Sequence, residues 1–155
     1  MSLDRTPELW AKLEQDGITL REACDNTVRN VTSSPDAGLD PDEPFDVSPY
    51  AQAVFAYFLR NPICQEMGCK IKISFSSSDK DTAFSYIHDL GFIPKLNENG
   101  EKGFKILFAG GLGAQPFLAS DIYDFLPENE LIPFTERCLR YSIDMENAAI
   151  EIKRV

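Results

Sequence analysis

The sequence is poor in the residues that most often build metal sites and catalytic dyads. Among its 155 residues there is one histidine, His88, and there are four cysteines, of which only Cys64 and Cys69 lie close together. That spacing differs from the paired spacing of a zinc ribbon. A single histidine argues against most histidine metal sites and against Cys/His or Ser/His catalysis. We therefore predict reduced, mostly buried thiols, a structural His88 and no metal ligand.

The chain also lacks a long apolar run and an excess of basic residues. No run approaches the roughly 20 apolar residues of a membrane helix, and the opening residues do not resemble a secretory signal. With 25 acidic and 15 basic residues and a net charge of -10, nucleic acid and anionic membranes are not expected as partners. Length and composition predict one soluble domain, with the cytoplasm as its default location. Any local group of cations stands out against this acidic background.

Apolar spacing predicts both helices and strands. Alternation over 69–79 predicts a strand, and 92–111 resembles an antiparallel hairpin around Asn99–Gly100. From about residue 118 we predict helices broken near Pro127 and Pro133, and then a short alternating tail, 148–155. The expected fold class is α+β, with a mixed or antiparallel sheet and interleaved helices. Helical spacing is found over residues 6–17, 20–30, 49–60 and 82–91.

The 69–79 strand carries the most informative pattern, because side chains alternate across a strand. One predicted face is apolar and consists of Ile71, Ile73 and Phe75. The other face consists of Lys70, Lys72, Ser74, Ser76 and Ser78. Two adjacent ammonium groups repel each other, which costs energy unless an anion lies between them. An ordinary solvated edge strand is the alternative interpretation.

Two further features accompany the lysines. Arg29 is predicted at the end of a helix, where its charge would also suit the helix dipole. Gly110, Gly111 and Gly113 follow a strand and would allow close approach of a flat or phosphorylated ligand. They fit neither a dinucleotide-binding nor a P-loop pattern, and a tight turn is the alternative. Together these features predict a site for a small oxyanion or a polycarboxylate.

Four segments, in this order, resemble the sirohaem- and iron–sulfur-dependent sulfite and nitrite reductases: TVRNVTSSPDAG, FDVSPYAQAVFAYFLR, CKIKISFSSSDKDTAFSYIHDLGFI and GFKILFAGGLGAQP. The resemblance extends over about residues 9–145. It implies a partial sirohaem/4Fe-4S domain over 19–155, so that the chain is a fragment of a longer reductase. Residues 1–18 would then be the end of a preceding ferredoxin-like half-domain or an added tail.

The resemblance also implies roles for individual residues. Arg29, Lys70 and Lys72 would be catalytic, binding the substrate anion, holding carboxylates of sirohaem and supplying protons. Sirohaem and a 4Fe-4S cluster are implied for the longer parent, whereas this chain alone is expected to bind neither. The implied cofactor-binding residues are Arg29, Asn30, Thr32, Lys70, Lys72, Gly110, Gly111, Gly113 and Gln115.

The activity implied for the parent is the six-electron reduction of sulfite to sulfide, with ferredoxin or a flavoprotein as electron donor. Sulfite is favoured over nitrite because Lys70 and Lys72 are both present, whereas nitrite enzymes tend to have asparagine at the second position. Nitrite reduction and a non-catalytic anion-binding or assembly module are the alternatives. An unrelated acidic adaptor would require every motif to be accidental.

The sequence departs from the family pattern at several points. Cys69 and Phe117 stand where the family usually has arginine, which weakens the anchoring of cofactor carboxylates. The family holds its cluster with two close pairs of cysteines downstream of the glycine-rich segment, and no cysteine follows Cys138. Because a chain without cluster ligands cannot hold the coupled cofactors, we predict that this chain is inactive on its own.

Overall fold

The computed structural model describes residues 2–24, 26–65 and 67–153, with side chains as far as residue 144. Three helices and five strands are found in this part of the chain, together with short 3-10 segments such as Ser85–Ile87. The elements are α1 (Thr6–Gln15), β1 (Val28–Ser33), α2 (Ser48–Phe58), β2 (Ile71–Phe75), β3 (Leu90–Leu96), β4 (Lys102–Phe108), β5 (Ser120–Pro127) and α3 (Leu131–Lys153).

The five strands form one mixed sheet in the order β1-β2-β3-β4-β5. The first three strands are parallel, while β4 is antiparallel to both β3 and β5. The β3–β4 hairpin turns at Gly100, which has a φ of 77°, a left-handed conformation that glycine adopts without steric cost. Asn97 Oδ1 closes the turn by accepting hydrogen bonds from the backbone N–H groups of Asn99 and Glu101. The α+β prediction and the predicted hairpin are therefore confirmed.

Helices α2 and α3 pack on the same face of the sheet, and the main core lies between them and the strands. Phe75 and Phe92 stack there with ring centroids 4.7 Å apart. Burying an aliphatic or aromatic side chain of this kind contributes roughly 1.5–3 kcal/mol, so this layer dominates the stability of the fold. Fully buried members of the core include Val54, Phe58, Ile73, Phe75, Leu90, Phe92, Phe104, Ile106 and Leu139.

Because β1 and β2 are parallel neighbours, the connection between them must be a crossover. It runs through α2, whose predicted position is confirmed. The loop that leads into α2 is tied to the end of β2 by Asp40. The Asp40 carboxylate accepts hydrogen bonds from the hydroxyls of Ser77, at 2.9 Å, and Ser78, at 2.8 Å.

The helix predicted over 20–30 is wrong. Glu22 has a φ of 58°, a left-handed conformation that ends a helix, and the chain enters β1 at Val28. Arg29 therefore lies in a strand and not at a helix end. Local apolar spacing could not reveal this, because β1 exists only through its pairing with β2, some forty residues away.

The helix predicted over 82–91 is also wrong. Only the 3-10 segment Ser85–Ile87 forms there, directly after Phe84, which has a φ of 54°. Asp81 does act as a local acceptor, since its Oδ1 binds the backbone N–H of Ser85 at 2.7 Å. Gly91, the last residue of the predicted helical segment, lies within β3.

The prediction for the last third of the chain is wrong in three respects. Residues 120–127 form β5 instead of a helix. Pro133 does not break α3, because it is the third residue of that helix, where a backbone N–H would have no intrahelical partner. The predicted alternating tail is helical as far as Lys153, and its last two residues lie outside the described part. No helix in the described part of the chain has the length and apolarity of a membrane span.

Candidate anion-binding site

A cleft of about 650 Å³ opens beside the first residues of β1 and β2. We call it the cationic cleft. Ala23, Val31 and Phe55 supply its apolar lining. Its polar lining consists of Thr19, Arg21, Arg29, Asn30, Lys70 and Lys72. Four of the predicted site residues therefore meet in one place, although they come from distant parts of the sequence.

Strand register explains why these residues meet. Val28 pairs with Ile71 and Asn30 pairs with Lys72, and the register shifts between these two pairs. Arg29 is the residue at this irregularity. Its Nε donates a hydrogen bond of 3.0 Å to the carbonyl oxygen of Ala23, which holds the guanidinium beside the turn that precedes β1.

The charge of the cleft is unbalanced. No aspartate or glutamate among the described residues lines it. The described ion pairs use other basic residues, namely Arg5, Lys80, Lys95, Lys105 and Arg140. The four basic side chains of the cleft thus form no described ion pair, although the Asp89 carboxylate interacts electrostatically with Lys72. Such a group of cations attracts an anion and is stabilised by one.

The predicted faces of β2 are confirmed for the lysines and corrected for the serines. Lys70 and Lys72 are exposed, and Ile71, Ile73 and Phe75 are buried. Ser74, Ser76 and Ser78 are buried as well. Ser74 Oγ, for example, donates to Ser85 Oγ at 2.9 Å. Because β2 lies between β1 and β3, the solvated edge strand considered above is wrong, and the hydroxyls contribute to packing and not to the cleft.

Thr32 lies outside the cationic cleft. Its Oγ1 donates a 3.4 Å hydrogen bond to the carbonyl oxygen of Ile73, and its side chain is otherwise exposed on β1. Its predicted contact with a cofactor remains a prediction.

The glycine-rich segment follows Phe108, the last residue of β4. Phe108 pairs with Leu90, the first residue of β3, and Leu90 also pairs with Ile73, the third residue of β2. The segment therefore begins at the same end of the sheet as the cleft. It does not line the cleft, however. Gly110 is buried where a Cβ would lie 2.5 Å from the carbonyl oxygen of Tyr86. Gly111 pairs with Phe117 across a short turn. Gly113 and Gln115 are exposed, so the segment combines a tight turn with an open surface.

Asp89 links the two regions. Its Oδ2 accepts a hydrogen bond of 2.8 Å from the backbone N–H of Lys72, and its carbonyl oxygen accepts one of 2.9 Å from Ala109. Burial raises the pKa of the Asp89 carboxyl, while the Lys72 N–H acts in the opposite direction. The spacing of the sequence gave no signal for this contact, because Asp89 was assigned to a helix.

Arg21 and Thr19 are polar residues of the cleft that the sequence did not predict. Arg21 was placed inside a predicted helix, and only its positive charge in an acidic chain could have drawn attention to it. The backbone N–H of Arg21 donates to Thr19 Oγ1 at 3.1 Å. Thr19 therefore stabilises the turn at this point.

Cys69 and Phe117 do not line the cationic cleft. Cys69 borders a separate, apolar cleft of about 280 Å³, together with Asp89 and Cys138. Phe117 is exposed. Within the described residues, no group of three or more His, Cys, Asp or Glu side chains is arranged to hold a metal ion.

The family model described as "Nitrite and sulphite reductase 4Fe-4S domain" matches residues 24–149, most of the chain. The chain belongs to this family. The match includes β1 and β2 with Arg29, Asn30, Lys70 and Lys72. The resemblance stated from the sequence is therefore confirmed, and the chain represents a partial domain.

Relatives with known names include both kinds of reductase. The "Assimilatory ferredoxin-dependent nitrite reductase" of Haloferax mediterranei is 31% identical over 134 residues, which are 84% of this chain and 23% of that protein. "Sulfite reductase [ferredoxin] 1" of Mycolicibacterium paratuberculosis is 30% identical over 129 residues, with 83% and 23% covered. The chain thus spans about a quarter of the length of these relatives.

The solved structure of Mycobacterium tuberculosis NirA protein superposes with a TM-score of 0.80 and 26% sequence identity. The match covers 90% of this chain and 25% of that chain. The mixed sheet and its helices are therefore the arrangement found in this family.

Proposed function

We propose that this chain is the part of a sulfite reductase that binds sirohaem carboxylates and the substrate anion through Arg29, Lys70 and Lys72. The observation that carries the proposal is the cationic cleft, where four basic side chains lie together and none of them is in a described ion pair. Guanidinium and ammonium groups are the usual partners of carboxylates and oxyanions.

The cleft fits sirohaem by charge, because this tetrapyrrole carries several carboxylates. Arg29, Lys70 and Lys72 would hold it, with Asn30 as a neutral hydrogen-bonding neighbour. The bound group supplies the electron chemistry. Lys70 and Lys72 bind the sulfite oxyanion before reaction and donate protons to departing oxygen. These are the roles that the resemblance implied.

The 4Fe-4S cluster does not fit the described residues. A cluster of this type is held by four cysteine thiolates, whereas no metal-holding group of three or more suitable side chains is present in the described part. We therefore assign the cluster to the parent protein and give the cysteines of this chain no role in it.

For the parent we propose the six-electron reduction of sulfite to sulfide. Relatives named as ferredoxin-dependent support ferredoxin as its electron donor. The inactivity of the isolated chain and its cytoplasmic location remain predictions, as does the assignment of residues 1–18 to a preceding half-domain.

Nitrite is the second candidate substrate, because one of the named relatives is a nitrite reductase. The presence of both Lys70 and Lys72 favours sulfite. We expect the parent enzyme to have a higher kcat/KM for sulfite than for nitrite, and the reverse order would replace this part of the proposal. A non-catalytic anion-binding or assembly module is the third candidate, supported by Cys69 and Phe117.

An absorption titration with sirohaem tests the proposed site. The wild-type chain is compared with a variant in which Arg29, Lys70 and Lys72 are alanine. A matched control replaces three exposed basic residues elsewhere, Arg5, Lys12 and Arg137, so that both variants lose the same charge.

The sequence led us to expect that this chain alone binds no sirohaem, and the cationic cleft changes that expectation. We now expect the wild type and the control to bind sirohaem with the same shift of its Soret band, and the cleft variant to lose that shift. Equal binding by all three proteins would show that the cationic cleft is not the site. Absence of binding by the wild type would favour the non-catalytic module.

A further inference from the structure

Three hydrogen bonds hold the turn that carries Arg21 in place beside β1. The carbonyl oxygen of Ala23 accepts the 3.0 Å hydrogen bond from Arg29 Nε, and the carbonyl oxygen of Glu22 accepts one of 3.3 Å from Thr27 Oγ1. Thr19 Oγ1 accepts from the backbone N–H of Arg21 itself. Arg21 is therefore held next to Arg29 by hydrogen bonds between the turn and β1, although the two residues are eight positions apart.

The acidic neighbour of Arg21 is engaged elsewhere. Glu22 Oε1 accepts hydrogen bonds from the backbone N–H of Arg60, at 2.6 Å, and from Gln65 Nε2, at 2.8 Å. No described ion pair involves Arg21. The Glu22 carboxylate is thus held by Arg60 and Gln65, in a depression that Arg21 also borders, and Arg21 lines the cationic cleft as well.

Arg21 also occupies the rim of the cleft. It is exposed, and it borders two neighbouring surface depressions in addition to the cationic cleft. A small oxyanion between Lys70 and Lys72 would not need a group at the rim, whereas a large tetrapyrrole has carboxylates around its periphery. A guanidinium suits a carboxylate because it donates two parallel hydrogen bonds.

We propose that Arg21 is a further cofactor-anchoring residue, which pairs with a peripheral carboxylate of the tetrapyrrole. The proposal rests on the function proposed above, since it places the same cofactor in the same cleft. In this chain Arg21 supplies a cationic anchor that Cys69 and Phe117 do not. The ion pair between Arg21 and the carboxylate affects how tightly the cofactor is held. Sulfite is bound by Lys70 and Lys72 and not by Arg21.

The test measures the sirohaem dissociation constant by absorption for Arg21→Gln, Arg21→Lys and Arg60→Gln. Arg60→Gln is the matched control, because it removes the same charge from an exposed neighbour that does not line the cationic cleft. We expect Arg21→Gln to weaken binding roughly tenfold. Arg21→Lys should weaken it less, because the charge remains and only the paired geometry is lost, and Arg60→Gln should bind as the wild type does.

Thermal unfolding of each variant shows whether the fold is intact, which we expect for exposed substitutions. Wild-type affinity in Arg21→Gln, with binding still lost when Arg29, Lys70 and Lys72 are alanine, would overturn this inference and leave the proposed function standing. Equal weakening by Arg21→Gln and Arg60→Gln would also overturn it, because general electrostatics would then account for the effect. Failure of the wild type to bind would overturn both.

Discussion

The Asp89 carboxylate holds the backbone of Lys72, with 2.8 Å between Oδ2 and the amide nitrogen. The contact joins the residue before β3 to a cation of the cleft. Because an ordinary intramolecular hydrogen bond contributes about 0.5–1.5 kcal/mol, we expect Asp89→Leu to lower the free energy of unfolding by about that amount. Asp89→Asn keeps an acceptor oxygen and should lower it less. Urea unfolding of both variants measures this, and equal losses would show that the contact is unimportant.

The raised pKa of Asp89 gives this contact a pH dependence. Burial disfavours the charged form, so the folded protein holds the proton to a higher pH than the unfolded chain, where the ordinary value is 3.8. Stability contributed by the protonated group is present below that value and declines as pH rises through the raised pKa. Asp89→Asn should remove this decline, as measured by unfolding between about pH 4 and pH 7. An unchanged pH profile would contradict it.

The contribution of Asp40 to stability should depend on pH in the opposite direction. Hydrogen bonds from the Asp42 N–H and from the hydroxyls of Ser78 and Ser77 lower the pKa of its carboxyl. Its contribution is therefore present above the unfolded pKa and is lost as pH falls through the folded one. We expect Asp40→Asn to flatten the acid side of the plot of melting temperature against pH. Asp124→Asn, at an exposed position on β5, is the control and should follow the wild type.

The glycines after β4 should differ sharply in their tolerance of alanine. A Cβ on Gly110 would lie 2.5 Å from one carbonyl oxygen and 2.6 Å from another, whereas Gly113 has open space around it. We expect Gly110→Ala to cost about 1–3 kcal/mol of stability and Gly113→Ala to stay within about 0.5 kcal/mol. Urea unfolding compares them, and similar losses would contradict the turn described here.

Gly113→Ala also separates the two interpretations of this segment. If the cofactor approaches the exposed glycine closely, the added methyl group should weaken sirohaem binding without changing stability. Unchanged sirohaem binding would restrict the segment to the role of a tight turn.

The thiols should fall into two classes. Burial raises the pKa of Cys64 to about 12 and that of Cys138 to about 11. Cys24 and Cys69 are exposed, so the prediction of mostly buried thiols is wrong. Because the thiolate is the reactive form, we expect Cys24 and Cys69 to react first with a thiol reagent such as dithionitrobenzoate. Half-buried Cys138 should react more slowly, and buried Cys64 should react only upon unfolding. Rapid reaction of all four thiols in the folded chain would contradict the described packing.

Much of the fold could be predicted where local patterns determine it. The alternation in β2, the Asn99–Gly100 turn signal and the apolar spacing of α2 each express a preference that the structure keeps. The strands β1 and β5 escaped prediction for a shared reason. Their regular structure depends on pairing with β2 and β4, which local spacing does not show.

The sequence predicted most of the basic residues of the candidate site. It did not predict the shape of the cleft that they line. Alternation puts Lys70 and Lys72 on one face, and Arg29 stands out as a cation in an acidic chain. Arg21 escaped notice, because only the left-handed turn at Glu22 brings it back to β1. The prediction that the serines of this strand face the site was wrong. Hydroxyls that alternate with apolar residues resemble a solvated face, but these hydroxyls are buried.

The most direct measurement of the central claim is an NMR titration of the chain with sirohydrochlorin, the metal-free form of sirohaem. The Arg29 Nε–H is a suitable reporter because it is hydrogen-bonded to Ala23, and single alanine variants would assign the signals of Lys70 and Lys72. We expect saturable shifts at these three side chains and none at Arg137, on α3. Shifts confined to the apolar cleft around Cys138 and Leu139, or the absence of any saturable shift, would contradict the assignment of the cationic cleft as the cofactor site.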